Sequence, residues 1–381
     1  MTWDAWAESE TNAIRAAGRW RAPRTLDTKG PEGTLTADRR AVVSFASNDY
    51  LGLTAHPAVI AAAHDALDRW GAGAGSARLI VGARPVHADL EHELAEWKSM
   101  PRAALFPTGF ATNLGVITTF AGAGVLVCSD ELNHASIIDG CRLARADVAV
   151  YRHNDLDHLA ALLRDRGARR ALVVTDTVFS MDGDVADLAA IVDLCARESA
   201  LLLLDEAHAV LGPDLDLPAD AAADAGIDVL RIGTLSKTLG ALGGFVAGST
   251  RAIELIENLS RPYIFTTAPT PADAAAALAA LRIVRSAEGA ALVARLRAHV
   301  DRLRPGHPSP IVPFVCGDEQ RALDAAAALL DEGLLVPAIR PPTVPVGTSR
   351  LRVTVSAAHT DAQVADLLRA LTRALGSVPA R

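Results

Sequence analysis

The sequence predicts an α/β fold, with a mostly parallel sheet in a large unit followed by a smaller α+β unit. Three observations lead there. From residue 103 to about 248, short apolar runs alternate with helix-length segments, the pattern of a mainly parallel sheet. Two of those runs, Leu201–Leu204 and Val229–Gly233, are too short to cross a membrane and carry no helical stripe, so they read as strands buried on both faces. From about Pro271 the pattern changes to two long Ala- and Leu-rich helices, then mixed strands and helices, as in a separate small domain. The expected organisation is an N-terminal arm and helix over residues 1–45, a large domain over 46–285 and a small domain over 286–381.

At 381 residues, half of them hydrophobic, the chain can bury an ample core. A net charge of −8 without a basic cluster argues against nucleic acid and anionic membranes as partners. Cys128, Cys141, Cys195 and Cys316 are scattered without a CxxC pair, and three lie in apolar contexts. Reduced, buried thiols in a cytoplasmic protein are therefore expected. The N-terminus lacks the charged-then-apolar order of a signal peptide, and no run of 18 apolar residues exists to span a membrane. No metal is called for.

The elements follow in order. Residues 4–20 read as a surface helix anchored by Trp3, Trp6, Ile14 and Trp20, with Arg19, Arg21 and Arg24 at its end. A hairpin ending at Val42–Ser47 leads through a turn-rich stretch to Pro57, a favoured first-turn residue, and a helix to about Trp70. The glycine-rich Gly71–Ser76 follows a helix and lacks a Walker ending, so a hinge or close backbone approach explains it better than a phosphate loop. His87–Trp97 reads as helix. Strands follow at Ala103–Phe106, Val125–Cys128, Val148–Tyr151, Ala171–Thr175, Leu201–Leu204, Val229–Gly233 and Gly244–Gly248. The last lies close enough behind its predecessor to pair antiparallel. After the first, Pro107–Asn113 opens a helix whose free N–H groups and dipole offer a phosphate seat at Gly109 and Phe110. The C-terminal part reads as helices near 271–286 and 288–303, a strand at Ile311–Cys316 and a helix near 319–332. Strands at 334–339 and 350–356 and a closing helix complete it. The long loop Arg340–Thr348 is of a kind more often functional than not.

The chemistry gathers at two strand ends. Asp205 closes the leucine run and His208 follows three residues later; Thr234 and Lys237 follow the next run in the same way. Ligands of open parallel sheets bind outside the carboxyl ends of the strands. Taken singly, an Asp after a buried strand is usually a cap, and a Lys in a turn is usually solvated. Together, an acid, an imidazole and a lysine are what a pyridoxal phosphate site requires. The lysine forms the Schiff base, and the acid keeps the pyridine nitrogen protonated.

These residues carry a resemblance. Ser47–Leu53, Thr108–Asn113, Asn133–Ser136, Phe179–Asp184, Asp205–His208 and Thr234–Lys237 resemble the motifs of the α-oxoamine synthases, pyridoxal phosphate enzymes of the fold type I aminotransferase superfamily. The resemblance runs in order from about residue 15 to the C-terminus. It implies an aminotransferase-like large domain with a mostly parallel seven-stranded sheet, residues 46–285 binding the cofactor, and a smaller α+β C-terminal domain. It also implies a homodimer with its site at the subunit interface, and decarboxylative condensation of an amino acid with an acyl thioester, releasing CO2 and free thiol.

The resemblance further implies roles. Lys237 would hold the cofactor and shuttle the proton at the substrate Cα. Asp205 would pair with the pyridinium nitrogen, His208 would hydrogen-bond the phenolic oxygen, and His134 would stack on the ring. Ser180, Thr234 and the N–H groups of Gly109 and Phe110 would bind cofactor oxygens, chiefly phosphate, and Thr266 and Thr267 would reach the partner's phosphate. Asn48 and Arg352 would grip the α-carboxylate. Arg350 and Arg352 share one face of their strand, so periodicity alone does not choose between them; family position favours Arg352. Arg340 and Thr343 would contact substrate, and Arg21 the acyl chain or its end. Segment Ala338–Arg352 looks most like the members that join L-alanine to pimeloyl-CoA or the pimeloyl acyl carrier protein in biotin synthesis.

Three departures stand out. Ser76-Ala77-Arg78 replaces the usual Gly-Ser-Arg, Ala209–Gly212 is short and lacks the usual glycines, and Ala268-Pro269-Thr270-Pro271 replaces Ser-x-Pro-Pro. None removes a catalytic group. The alternatives are a glycine C-acetyltransferase or 5-aminolevulinate synthase type of the same family, a serine palmitoyltransferase, or a non-catalytic homologue acting as a binding subunit. Retention of Lys237, Asp205, His208 and His134 together speaks against the last.

Overall fold

The computed structural model describes residues 1–213 and 228–376. Its centre is a seven-stranded sheet built from β4 (Arg102–Phe106), β5 (Val125–Asp130), β6 (Asp147–Tyr151), β7 (Arg170–Asp176), β8 (Leu201–Asp205), β9 (Val229–Thr234) and β10 (Gly244–Gly248). The spatial order is β4-β10-β9-β8-β7-β5-β6. All pairs among β9, β8, β7, β5 and β6 are parallel, whereas β10 runs antiparallel to both β9 and β4. The leucine run shows why the sheet is buried on both faces: Leu202 and Leu204 enter the apolar layer under the helices Leu156–Arg164 and Leu188–Glu198. Leu203 enters the opposite layer, under Gly109–Phe120 and Thr250–Leu259. Successive side chains of a strand point to opposite faces, so an unbroken apolar run is what a two-sided sheet needs. Each fully buried leucine contributes about 1.5–3 kcal/mol, which fixes the height at which Asp205 emerges.

The remaining strands form two small sheets. β1 (Leu26–Thr28), β2 (Glu32–Leu35) and β3 (Arg40–Ser44) make an antiparallel meander, and β12 (Leu334–Leu335) adds to β3 in parallel. β11 (Ile311–Gly317), β14 (Ser349–Thr354) and β13 (Ala338–Ile339) form the third sheet. The single strand expected over 334–339 is thus two, each serving a different sheet. Pro337 lies between them and has no N–H to give a ladder.

Other boundaries move less. The N-terminal helix spans Trp3–Ala16 and buries none of its residues. Its aromatics are surface features rather than anchors: Trp3 meets Trp6 edge-on at 5.6 Å, and Arg15 lies 4.1 Å over Trp20. The helix Pro57–Trp70 packs on Pro271–Val284, and His56 caps it by accepting from the N–H of Ala58. All four cysteines are free and buried, one more than their sequence contexts indicated. Among the described residues, no helix is long and apolar enough to cross a membrane.

Candidate active site

The carboxyl ends of β8 and β9 bring the predicted acid, imidazole and lysine together. Lys237 Nζ lies 2.9 Å from His208 Nε2. On the far side of the ring, Tyr50 Oη stands 2.5 Å from His208 Nδ1. Burial holds Tyr50 as a phenol by raising its pKa, and burial together with the charges of Lys237 and Arg352 pushes His208 well below the usual imidazole range. Tyr50 Oη also donates to Asn48 Oδ1 at 3.2 Å, so His208 links Lys237 to the Asn48–Tyr50 pair. Burial also lowers the pKa of Lys237, against the raising charges of Asp205 and Asp176.

Asp205 is buried and held on both oxygens. Asn113 Nδ2 donates to Oδ2 at 2.6 Å, and the Ala207 N–H donates to Oδ1 at 2.9 Å. The same Asn113 amide donates to Ser136 Oγ at 2.9 Å, and Ser136 meets His134 Nδ1 at 2.7 Å. A polar chain therefore runs from Asp205 to His134. His134 caps the helix Ala135–Ala144 and keeps an exposed ring, with Phe110 edge-on at 6.4 Å. Its N–H donates to Asp176 Oδ2 at 2.8 Å. Burial and the charge of Asp205 push Asp176 well above the ordinary carboxylate range.

Gly109 opens the helix Gly109–Phe120, and Thr108 caps it by accepting from the Ala111 N–H at 3.0 Å. The first N–H groups of a helix have no partner within it, so those of Gly109 and Phe110 face outward with the positive end of the dipole. A Cβ at Gly109 would sit 3.3 Å from Thr234 Cβ, so glycine keeps this cradle open. Thr234 Oγ1 meets Ser236 Oγ at 2.7 Å, adding two hydroxyls to the same corner. Open amides, hydroxyls, a lysine whose pKa burial lowers and a buried carboxylate form a set that fits a phosphorylated aldehyde with a basic ring nitrogen.

A second cluster lies against the first. Arg352 Nε donates to the Ser180 carbonyl at 2.6 Å, Nη1 to Thr354 Oγ1 at 3.0 Å and Nη2 to Asn48 Oδ1 at 3.2 Å. Arg350, two residues earlier, is committed elsewhere. It pairs with Asp182 and donates to the Thr348 carbonyl at 3.0 Å. Arg340 Nη1 donates to the Gly18 carbonyl at 3.0 Å and so ties the long loop to the N-terminal arm. Thr343 and Arg21 are exposed, Arg21 in the irregular stretch between the first helix and β1. Thr267 bridges Ala77 and is exposed, with Thr266 half-buried beside it.

Sequence reasoning passed over Tyr50, Asn113, Ser136 and Asp176. The signal for Asp176 was present, because it closes an apolar run as Asp205 does and pairs with it in register. Asn113 lies four residues after Gly109, one helical turn on the same face.

Fold and site together define a class. Residues 40–371 match the aminotransferase class I and II family, and the chain belongs to it. A serine palmitoyltransferase from S. paucimobilis, solved with a bound pyridoxal phosphate–myriocin aldimine, superposes with a TM-score of 0.87 at 32% identity over 97% of each chain. Within that class the chain groups with the 8-amino-7-oxononanoate synthases. The protein of that name from Anaeromyxobacter dehalogenans is 49% identical, over 98% of this chain and 96% of that one. The one from Methylobacterium nodulans is 46% identical, over 97% and 96%.

Proposed function

We propose that this chain condenses L-alanine with a pimeloyl thioester, of CoA or of acyl carrier protein, to give 8-amino-7-oxononanoate, CO2 and free thiol for biotin synthesis. It does so in the cytoplasm, as a homodimer, with pyridoxal phosphate as cofactor. The observation that carries the reading is the contact of Lys237 with His208 beside a buried Asp205, in a chain 49% identical to a synthase of that name.

Pyridoxal phosphate, when bound, supplies the electron sink that makes loss of a proton or of CO2 at the substrate Cα accessible. The protein supplies the rest. Asp205 would hold the ring-nitrogen proton, its own oxygens kept in place by Asn113 and the Ala207 amide. His208 would donate to the phenolic oxygen, and His134 would lie on the ring face. The Gly109 and Phe110 amides, with Ser180 and Thr234, would take the cofactor oxygens. Lys237, its pKa lowered by burial, would be the base that carries the Cα proton off and returns it.

Arg352 is the better carboxylate grip, because its partners are neutral. A guanidinium has five N–H groups, and three of these are engaged by Ser180, Thr354 and Asn48. Tyr50 hydrogen-bonds the same guanidinium, and none of these partners is a carboxylate, so the charge would be left for the substrate. Arg350 has already given its charge to Asp182. Arg340 and Thr343 would contact substrate, and Arg21 would meet the acyl chain or its terminal carboxylate. A homodimer is supported by the apolar Leu79, Ile80, Val81 and Phe265, which stand 54–73% exposed beside the Ala77–Thr267 bridge. Thr266 and Thr267 would then reach the partner's phosphate.

The test is thiol release from pimeloyl-CoA, acetyl-CoA and succinyl-CoA, each with L-alanine and with glycine. Turnover with alanine and pimeloyl-CoA is expected. Turnover confined to glycine and a short acyl-CoA would overturn the substrate assignment and leave the family intact.

A further inference from the structure

Beyond the residues that meet at Lys237, a polar cluster stands at the ends of the next three strands, β7, β5 and β6. β5 ends on Asp130, β6 ends on Tyr151 with His153 two residues further, and β7 leads into a tight hairpin that contains Asp184. His153 Nδ1 lies 3.0 Å from Asp130 Oδ1, and Nε2 lies 2.6 Å from Asp184 Oδ2. A neutral imidazole has one N–H, so a ring that faces a carboxylate through each nitrogen is an imidazolium. Burial opposes that charge, but the hydrogen bonds and charges of Asp130 and Asp184 outweigh it and raise the pKa to about 10.

The neighbours reinforce the joint. The Asn154 N–H donates to Asp130 Oδ2 at 3.0 Å, and its Nδ2 donates to Asp184 Oδ2 at 3.2 Å. Asn154 reaches both because its φ of 54° turns the chain back on itself. The His153 ring stands edge-on to Phe179 at 4.4 Å. Glu131 accepts from the His153 N–H at 2.9 Å, while Arg152 is turned to Asp155. On the Asp184 side, burial lowers the pKa of His307.

Each carboxylate belongs to a loop that carries a site residue. Asp130 accepts from the Leu132 N–H at 2.9 Å and so shapes the turn into His134. The Asp184 carbonyl accepts from the Phe179 N–H at 3.0 Å, closing the hairpin whose tip bears Ser180 and Asp182. That tip is bound in turn to Arg352 and Arg350.

We propose that His153 is a positioning residue: as a cation between Asp130 and Asp184, it fixes the His134 turn against the Ser180–Asp182 hairpin. Its geometry stands alone, while its effect on turnover rests on the reading of the site given above. The clamp sets the spacing between the imidazole meant for the cofactor ring and the hairpin that orients Arg352.

The experiment uses the full-length holoenzyme and three variants: His153→Leu, His153→Arg and Asp184→Asn. Hydrogen–deuterium exchange in His153→Leu should accelerate at residues 131–134 and 178–184 and remain unchanged along β8. KM for L-alanine should rise about tenfold, with kcat changing less, because a small misplacement of a positioning group is felt in the bound geometry. His153→Arg, which keeps a cation able to face two carboxylates, should recover part of both effects. Asp184→Asn, which weakens one side of the clamp, should show a smaller rise and answers for His153→Leu if that variant does not fold. Wild-type exchange and KM in His153→Leu, or acceleration spread evenly over the whole sheet, would overturn the proposal. A wild-type enzyme inactive toward alanine and pimeloyl thioester would sink the substrate reading, and the exchange comparison would still decide the clamp.

Discussion

Arg352→Lys is the sharpest test of how the substrate is held, because Arg350 supplies a built-in control on the same strand. The guanidinium of Arg352 is oriented by three hydrogen bonds, to the Ser180 carbonyl, Thr354 Oγ1 and Asn48 Oδ1. Lysine keeps the charge, but it can neither make those three bonds at once nor present two parallel donors. A charge-assisted hydrogen bond contributes about 1.5–3 kcal/mol. Replacing a two-point grip by a mobile single point therefore costs about 3 kcal/mol, or about a hundredfold in kcat/KM for L-alanine. Most of the loss should fall on KM, since the carboxylate is bound in the ground state as well. Steady-state kinetics with alanine varied at saturating acyl thioester measures it. Arg350→Lys keeps a charge to meet Asp182 and touches no substrate group, so it should change KM for alanine by about threefold or less. If Arg350→Lys raises KM for alanine a hundredfold and Arg352→Lys leaves it alone, the argument from partner charge is wrong and the two arginines exchange roles.

Three further outcomes are expected. Gly109→Ala places a methyl 3.3 Å from Thr234 Cβ in the amide cradle, and cofactor affinity, followed by fluorescence titration, should weaken about tenfold. Glu206→Gln removes the carboxylate that Lys98 Nζ meets at 2.7 Å and Arg231 Nε at 2.6 Å in a buried cluster. Breaking a buried pair from one side costs about 3–5 kcal/mol, visible as an earlier urea midpoint, and an unchanged midpoint would refute it. His153 has its pKa raised from 6.5 to about 10, so its charge contributes stability that is complete below about 6.5 and lost as pH rises through about 10. The stability difference between wild type and His153→Gln should accordingly shrink across that window; a difference that grows with pH would mean that the ring is neutral in the folded state.

The sequence made the sheet legible where one signal served one element. Leu201–Leu204 had to be a two-sided strand, and its apolar run ends on Asp205 because the polar end must leave the sheet. Lys237 was legible for the same reason, one strand further on. Signals that depend on strand order were not. β10 lies between β9 and β4, antiparallel to both, and nothing in Gly244–Gly248 announces its second neighbour. The split of residues 334–339 was equally hidden, since each half is short and answers to a different sheet. The tryptophans near the N-terminus misled because an apolar stripe implies a covered face: Trp3 and Trp6 instead contact one another, and Trp20, beyond the helix, meets Arg15.

The choice between Arg350 and Arg352 shows what separates the two kinds of knowledge. Both share a face of β14, so the period of the strand sets them equal. The β7 hairpin offers each something different: a side-chain carboxylate to Arg350 and a backbone carbonyl to Arg352. A carboxylate neutralises the guanidinium, while a carbonyl orients it and leaves its charge available for a substrate. That same hairpin closes through Asp184 onto His153. One loop thus decides which arginine has its charge met by a carboxylate and, through the imidazolium, how far the other sits from the His134 turn. Neither consequence can be read from the arginines themselves, because both depend on β7, β5 and β6 lying side by side with their ends level.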